Sequence, residues 1–163
     1  MQPSALASRH PSQSAVETTH AVLPGHTNQY GSAFGGTIME WMDIACSIAA
    51  HRHCRGQVVT AAVDELVFAR PIRLGDIVIV KACVNFAGHT SMEVGVRVER
   101  EEPTTGAREH CLSGYFTFVA IDAAGHPIAT PPLAPQGDIE QRRYAAARAR
   151  RAARLAHKPS AGA

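Results

Sequence analysis

The run "GGTIMEWMDIACSIAAHRH", Gly35 to His53, sets the tightest limit on how this chain can fold. Ile38, Met39, Trp41, Met42, Ile44, Ala45, Ile48, Ala49 and Ala50 follow helical spacing and cover most of the circumference. A helix apolar nearly all round has to be enclosed, so the spacing predicts one buried helix over roughly 36–53, with Gly56 as its C-terminal breaker. Whatever encloses it must come from the rest of the 163 residues, which suffice for one domain with a real core.

The segments that follow read as strands. "VVTAAVDELVF" (Val58 to Phe68), "IVIVKACVNFAG" (Ile77 to Gly88), "TSMEVGVRVERE" (Thr90 to Glu101) and "HCLSGYFTFVAID" (His110 to Asp122) are separated by turn residues. Met92, Val94, Val96 and Val98 alternate with Glu93, Gly95, Arg97 and Glu99, the pattern of a half-exposed antiparallel strand. "AVETTHAVLP", Ala15 to Pro24, reads as a first strand. One buried helix and an antiparallel meander make an α+β fold, with the sheet curled around the helix over residues 15–130. Residues 1–14, rich in Ser, Pro and Gln, are expected to be disordered. Residues 131–163 form a proline-rich connector and a basic helix, "IEQRRYAAARARRAARLAHK".

Composition narrows the function classes. Apolar residues make up 45% and charged residues 18%, as in soluble globular proteins, and no run is long enough to span a membrane. The N-terminus lacks the basic and apolar regions of a secretion signal. Cys46, Cys54, Cys83 and Cys111 form no CxxC pair and lie in apolar segments, which points to a reduced, cytoplasmic protein. "HRHC", His51 to Cys54, has no second half-site, so no metal is expected there. From Asp138 onward seven Lys/Arg face two acids, a local +5 in a chain whose total is +2. That tail reads as a solvated basic appendage; Tyr144 alone makes no stacking platform, so no nucleic-acid partner is expected.

Asp43 is the anomaly in the helix. A buried, unpaired carboxylate is costly, yet Glu40, Asp43 and Ser47 share one face at spacings of three and four. That stripe reads either as a solvent-facing band or as a polar seam where two subunits meet, with Asp43 as a working base. Gly35 and Gly36 open the helix, where unpaired N–H groups and the helix dipole favour developing negative charge, as in an oxyanion hole. Asn28, seven residues upstream, carries an amide able to donate to a carbonyl, although Asn and Gly also belong in plain turns. Gly35 and Asp43 lie eight residues apart, roughly 12 Å along a helix axis, so they cannot both touch one carbonyl. Two antiparallel helices across a two-fold axis would bring one chain's Gly35 to the other's Asp43.

"HTNQYGSAFGGTIMEWMDIA" resembles the signature of hotdog-fold acyl-CoA thioesterases. The likeness continues through "VTAAVDELVFARPIRLGD", "GHTSMEVGVRVE" and "YFTFVAID", spans about Val22 to Arg154, and is strongest to the cytosolic long-chain and brown-fat-inducible acyl-CoA hydrolases and their single-domain bacterial relatives. The resemblance implies hydrolysis of acyl-CoA to a free carboxylic acid and coenzyme A, by a homodimer that associates into a tetramer or hexamer, with no cofactor beyond the coenzyme A of the substrate. It assigns Asn28 and the Gly35 amide to the thioester carbonyl, with Asp43 of the facing subunit as general base or nucleophile. Another hotdog branch carries a serine on the strand after the helix; that position is Ala62 here, and Thr60, expected on the same strand face, is the available hydroxyl. Substrate contacts are expected from Gly36, Thr60, Arg70 and the "GHTS" turn, Gly88, His89, Thr90 and Ser91; Arg55, Arg73, Lys81 and the tail arginines are further candidates for the phosphates. Two rival readings share the fold: an enoyl-thioester hydratase or dehydratase using His26, and a non-catalytic acyl-CoA sensor.

Overall fold

The computed structural model describes residues 6–156. Its elements are β1 (Val16–Ala21), α1 (Gly35–Cys54), β2 (Gln57–Val63), β3 (Ile77–Ala87), β4 (Ser91–Glu101), β5 (Arg108–Ile121) and α2 (Gly137–Ala156). The five strands form one antiparallel sheet in the order β1-β3-β4-β5-β2. The meander β3-β4-β5 makes its centre, and β1 and β2, which flank α1 in sequence, take the two edges.

The inner face of the sheet closes on α1. Ile38, Trp41, Met42, Ala45, Cys46, Ala49 and Ala50 pack against Val78, Val80, Val84, Val94, Val96, Val98, Phe116 and Phe118. The alanines and Cys46 let the helix axis come close, and burial of such side chains is the main term holding the two layers together. Gly114 on β5 makes room at the centre: a Cβ there would lie 3.2 Å from Met42 Cε and collide with Leu66.

The helix is not enclosed on every side by its own chain. Met39 and Ile44 stay 41% and 46% exposed, and Glu40, Asp43 and Ser47 share that open flank with them. Its C-terminus differs from expectation too. Arg55, not Gly56, takes the left-handed conformation (φ 55°), and its N–H closes on the His51 carbonyl.

Three expectations need correction. Residues 6–14 are ordered, while residues 1–5 of the segment expected to be disordered lie outside the described residues. Pro11–Ser14 forms a 3-10 turn, and the Arg9 amide donates to the Pro132 carbonyl. Fully buried Ser14 donates to the Pro11 carbonyl at 2.7 Å and accepts from the Val84 amide at 2.9 Å, beside a bulge in β3 that needs a partner from outside the sheet. The second strand stops at Val63, short of Phe68, because the chain beyond it keeps only isolated bonds to β5, Asp64 to Tyr115 and Ala69 to Cys111.

The third correction is the basic tail, which is no solvated appendage. α2 lies on the outer face of the sheet, with Tyr144 packed on Phe86 and the Arg150 guanidinium 3.6 Å over the Tyr115 ring. Glu93, expected on the exposed side of β4, is 2% exposed: Arg150 holds it at 2.7 Å and Arg154 at 2.8 Å. Arg154 also reaches Asp64, just past β2, at 2.8 Å. A buried carboxylate is tolerated where guanidinium groups satisfy its oxygens in this way.

Candidate active site

The loop before α1 fixes Asn28 by turn chemistry. Its side-chain oxygen accepts from the amides of Tyr30 (2.9 Å) and Ser32 (3.2 Å), and Gly31 closes the turn at φ 73°. Only the oxygen end of an amide can meet two N–H donors, so the NH2 group points the other way. It has no partner among the described residues. The loop itself is pinned by Ala33 to Ile72 and Phe34 to His26.

Phe34 precedes the helix in extended conformation and offers no side-chain cap. The amides of Gly35 and Gly36 therefore meet no acceptor among the described residues and form a donor pair at the positive end of the dipole. The Phe68 ring lies 3.5 Å from where a Cβ on Gly35 would sit, while Gly36 faces open space. Apolar cover on one side of a bare helix tip concentrates its pull on an incoming oxygen.

Two turns along α1, Asp43 accepts a hydrogen bond from the Thr60 hydroxyl at 2.8 Å. This is the carboxylate's only partner among the described residues. The charge of Asp43 is felt at Cys46, whose thiol is pushed upward first by burial and then by that carboxylate. Thr60 and Ala62 do not share a face, contrary to expectation. A bulge in β2 pairs Thr60 with Phe118 and Ala62 with Thr117, so Thr60 sides with core residue Phe118 while Ala62 turns to the opposite face.

The remaining candidates are held elsewhere. Arg70, 62% exposed at its side chain, pairs with Glu109 at 3.2 Å. In the Gly88–Ser91 turn, the Gly88 amide bonds Ser91, Thr130 bonds the Gly88 and His89 carbonyls, and Ala120 bonds Thr90. Arg151 of α2 lies against Gly88, so the turn sits beside the basic helix. His26 accepts from the Leu23 amide at 3.1 Å and meets Trp41 edge-on at 5.2 Å, with His20 stacked on the same indole at 4.4 Å. No carboxylate lies within ion-pair distance of His26 among the described residues.

The ion pairs of Glu93 and Asp64 with Arg150 and Arg154 went unread in the sequence. The one local signal was the i, i+4 spacing of the two arginines, which puts them on one helix face.

A curved antiparallel sheet closed on one helix, with bare amides at the helix tip and a carboxylate on its open flank, is the architecture of a hotdog thioesterase. The thioesterase superfamily model matches residues 30–107. The Bacillus subtilis protein called uncharacterized acyl-CoA thioester hydrolase YkhA is 40% identical over 128 residues, covering 78% of this chain and 74% of its own. Mouse acyl-coenzyme A thioesterase 11 is 42% identical over 145 residues, 88% of this chain, which spans only 24% of that longer relative.

Among solved structures, acyl-CoA hydrolase from Staphylococcus aureus, in complex with butyryl coenzyme A, coenzyme A and coenzyme A disulfide, gives a TM-score of 0.85 at 36% identity. The match covers 91% of this chain and 90% of that one. Variants of the staphylococcal enzyme with an asparagine, an aspartate or a threonine changed to alanine are also similar. An apo-hexameric acyl-CoA thioesterase gives 0.88 at 35% identity, covering 92% and 96%. The chain belongs to the thioesterase superfamily, among the acyl-CoA thioester hydrolases.

Proposed function

We propose that this protein hydrolyses acyl-CoA thioesters to a carboxylic acid and coenzyme A, at a site shared by two chains. The observation that carries the reading is the Thr60–Asp43 contact at 2.8 Å on the flank of a helix whose tip amides are unpaired. In the water route, Asp43 takes a proton from water and the hydroxide attacks the thioester carbonyl. The resulting oxyanion is met by the Gly35 amide and the Asn28 NH2 of the facing chain, with Gly36 beside them. Collapse breaks the C–S bond, and coenzyme A leaves as the thiolate and is then protonated. In the anhydride route Asp43 attacks the carbonyl itself, the C–S bond breaks and coenzyme A leaves as the thiolate to be protonated, and water then hydrolyses the acyl-aspartate to the carboxylic acid and free Asp43. Oxygen from labelled water entering the Asp43 carboxylate in a single turnover marks the second route.

The shared site follows from reach and from the exposed surface. Helix tip and carboxylate lie roughly 12 Å apart along one axis. Apolar side chains left open include Met39 and Ile44 on α1, Val59 and Val63 on edge strand β2, and Val67 and Phe68 beyond it. β1, the other edge, reads "VETTHA" and carries charged and polar groups instead. A second copy placed against β2 and the open flank of α1 would cover these side chains and pair the free edge. Likeness to a hexameric thioesterase supports further association of such dimers. Coenzyme A enters as part of the substrate, no separate cofactor is invoked, and likeness to the rat cytosolic acyl coenzyme A thioester hydrolase, 32% identical over 135 residues, supports a cytoplasmic setting.

The staphylococcal variants at an asparagine, an aspartate and a threonine are in keeping with roles for Asn28, Asp43 and Thr60. The hydratase reading loses support from His26, which is committed to Leu23 and Trp41 without an acid. The sensor reading leaves the Asp43–Thr60 pair without a purpose.

The test is turnover of acyl-CoA by Asp43→Ala, expected to fall by orders of magnitude, and by Asn28→Ala, expected to lose about 3 kcal/mol of transition-state stabilisation as one oxyanion donor. Mixing the two inactive chains should restore part of the activity. Near-full activity of Asp43→Ala would end the proposal, and no recovery on mixing would end the shared site.

A further inference from the structure

The two oxyanion donors belong to different elements. Asn28 sits on the loop before α1 and the Gly35 amide on α1 itself, so the seat of the loop on the helix decides whether both reach one oxygen. The loop is a closed unit. The Asn28 amide donates to the Ser32 carbonyl at 2.8 Å, Thr27 pairs with Ala33, and the Phe34 amide donates to the His26 carbonyl at 2.9 Å. One side of this unit is pinned to residues 72–74, through Ala33 to Ile72 and Leu74 to Gly31. The side-chain oxygen of Asn28 is spent inside the unit, on Tyr30 and Ser32, so the NH2 group is aimed only as the whole loop is aimed.

The His26 ring joins this loop to α1. The Leu23 amide donates to its Nδ1 at 3.1 Å, which sets the orientation of the ring within the Pro24–His26 turn. The ring then meets the Trp41 indole at 88°, with centroids 5.2 Å apart, the tilted geometry that aromatic pairs favour. Trp41 stands six residues beyond Gly35 on the same helix, and the indole is itself fixed. It is buried, and His20 of β1 lies flat on it at 4.4 Å, tied in turn to the Thr18 hydroxyl at 3.0 Å.

We propose that His26 is a positioning residue for hydrolysis, its ring seated on Trp41 so that Asn28 stays in register with the Gly35 amide. It acts through Asn28 and takes no part in proton transfer. The assignment rests on the thioesterase reading and on the roles given there to Asn28 and Gly35.

The test is release of coenzyme A thiol from an acyl-CoA by the full-length protein, with kcat and KM resolved. His26→Asn keeps an oxygen acceptor for the Leu23 amide, so the turn is retained, and removes the ring. Its kcat should fall about ten- to hundredfold, the cost of a donor displaced by about 1 Å, with KM changed by less than about twofold. His26→Phe restores a ring for Trp41 and should recover kcat to within about threefold of wild type. In the Asn28→Ala background the residue acted upon is gone, so His26→Asn should lower kcat by no more than about twofold further. Trp41 is the only tryptophan in the chain, and its emission together with circular dichroism checks that each variant is folded. Wild-type kcat in His26→Asn, no recovery in His26→Phe, or the same fold-loss with and without Asn28 overturns the assignment while leaving the thioesterase reading in place. No hydrolysis by the wild type, or full activity of Asp43→Ala, overturns that reading and this assignment with it.

Discussion

Thr60→Val removes one oxygen from the proposed active site, keeps the shape of the side chain and its preference for a strand, and so isolates a single hydrogen bond. That bond is short, 2.8 Å, ends on a carboxylate, and is the only one Asp43 receives among the described residues. A hydroxyl donated to a charged group is worth about 1.5–3 kcal/mol. Both partners touch solvent, which places the effect toward the lower end. Asp43 would also regain its other side-chain rotamers, so only part of the population would present the carboxylate correctly. Together these predict a fall in turnover of about ten- to thirtyfold. The assay is release of coenzyme A thiol from an acyl-CoA, followed by a thiol-reactive chromophore, with kcat and KM resolved separately. The loss should sit in kcat, and Thr60→Ser, which restores the hydroxyl, should recover most of it. Full activity in Thr60→Val, or a loss that Thr60→Ser fails to repair, would refute the claim that this hydroxyl sets the carboxylate.

Other outcomes follow from groups outside that site. Glu93→Gln leaves two guanidinium groups facing a neutral amide and should destabilise the fold by about 3 kcal/mol, the low end for a broken buried pair because both arginines are roughly a quarter exposed. Glu99→Gln, whose partners Lys81 and Arg97 are 40% and 50% exposed, should cost less than about 1 kcal/mol, both variants being compared with the wild type by urea titration. Burial lowers the pKa of His53, with the nearby charge of Arg9 adding to it against a bond to the Pro131 carbonyl; burial also lowers His20, helped by His26. Folded values below the unfolded 6.5 mean that the unfolded chain binds more protons, so stability is full above that pH and falls as pH drops below it. His53→Gln should flatten this acid slope in denaturant midpoints measured from pH 7 to pH 5. Gly114→Ala should cost about 1–3 kcal/mol by crowding Met42 and Leu66, measured by thermal unfolding.

What could be read from the chain depended on the range of the interaction. α1 and the three central strands fell within a few residues of expectation because each carries its own periodicity: 3.6 residues for "IMEWMDIACSIAA" and two for "MEVGVRV". Asn28, Gly35 and Asp43 stood out through residue type at a turn, a helix start and a helix interior. Residues 6–14 and the packing of α2, though not its helicity, were misread because what orders them is long-range and polar: Ser14 to Val84, Arg9 to Pro132, Arg150 and Arg154 to Glu93. No local pattern announces a partner 57 to 123 residues away. Glu93 was misplaced for the same reason, since alternation reports which face a residue takes and not whether something later covers that face. The bulge at β2 was invisible because "TAAV" is as good a strand with one alanine more or less.

That surplus alanine has a consequence for how the strand tolerates change. Upstream of it, β2 is indexed to α1 by the grip of Thr60 on Asp43; downstream, it is indexed to the C-terminal helix by Asp64 and Arg154. With the odd residue lying between these anchors, each half keeps its own frame, like two rulers joined by a sliding vernier. Loss of one alanine there is absorbed without turning Thr60 away from the helix, whereas the same loss at Val58 or Val59, where β2 keeps strict step with β5, would turn a different side chain toward Asp43.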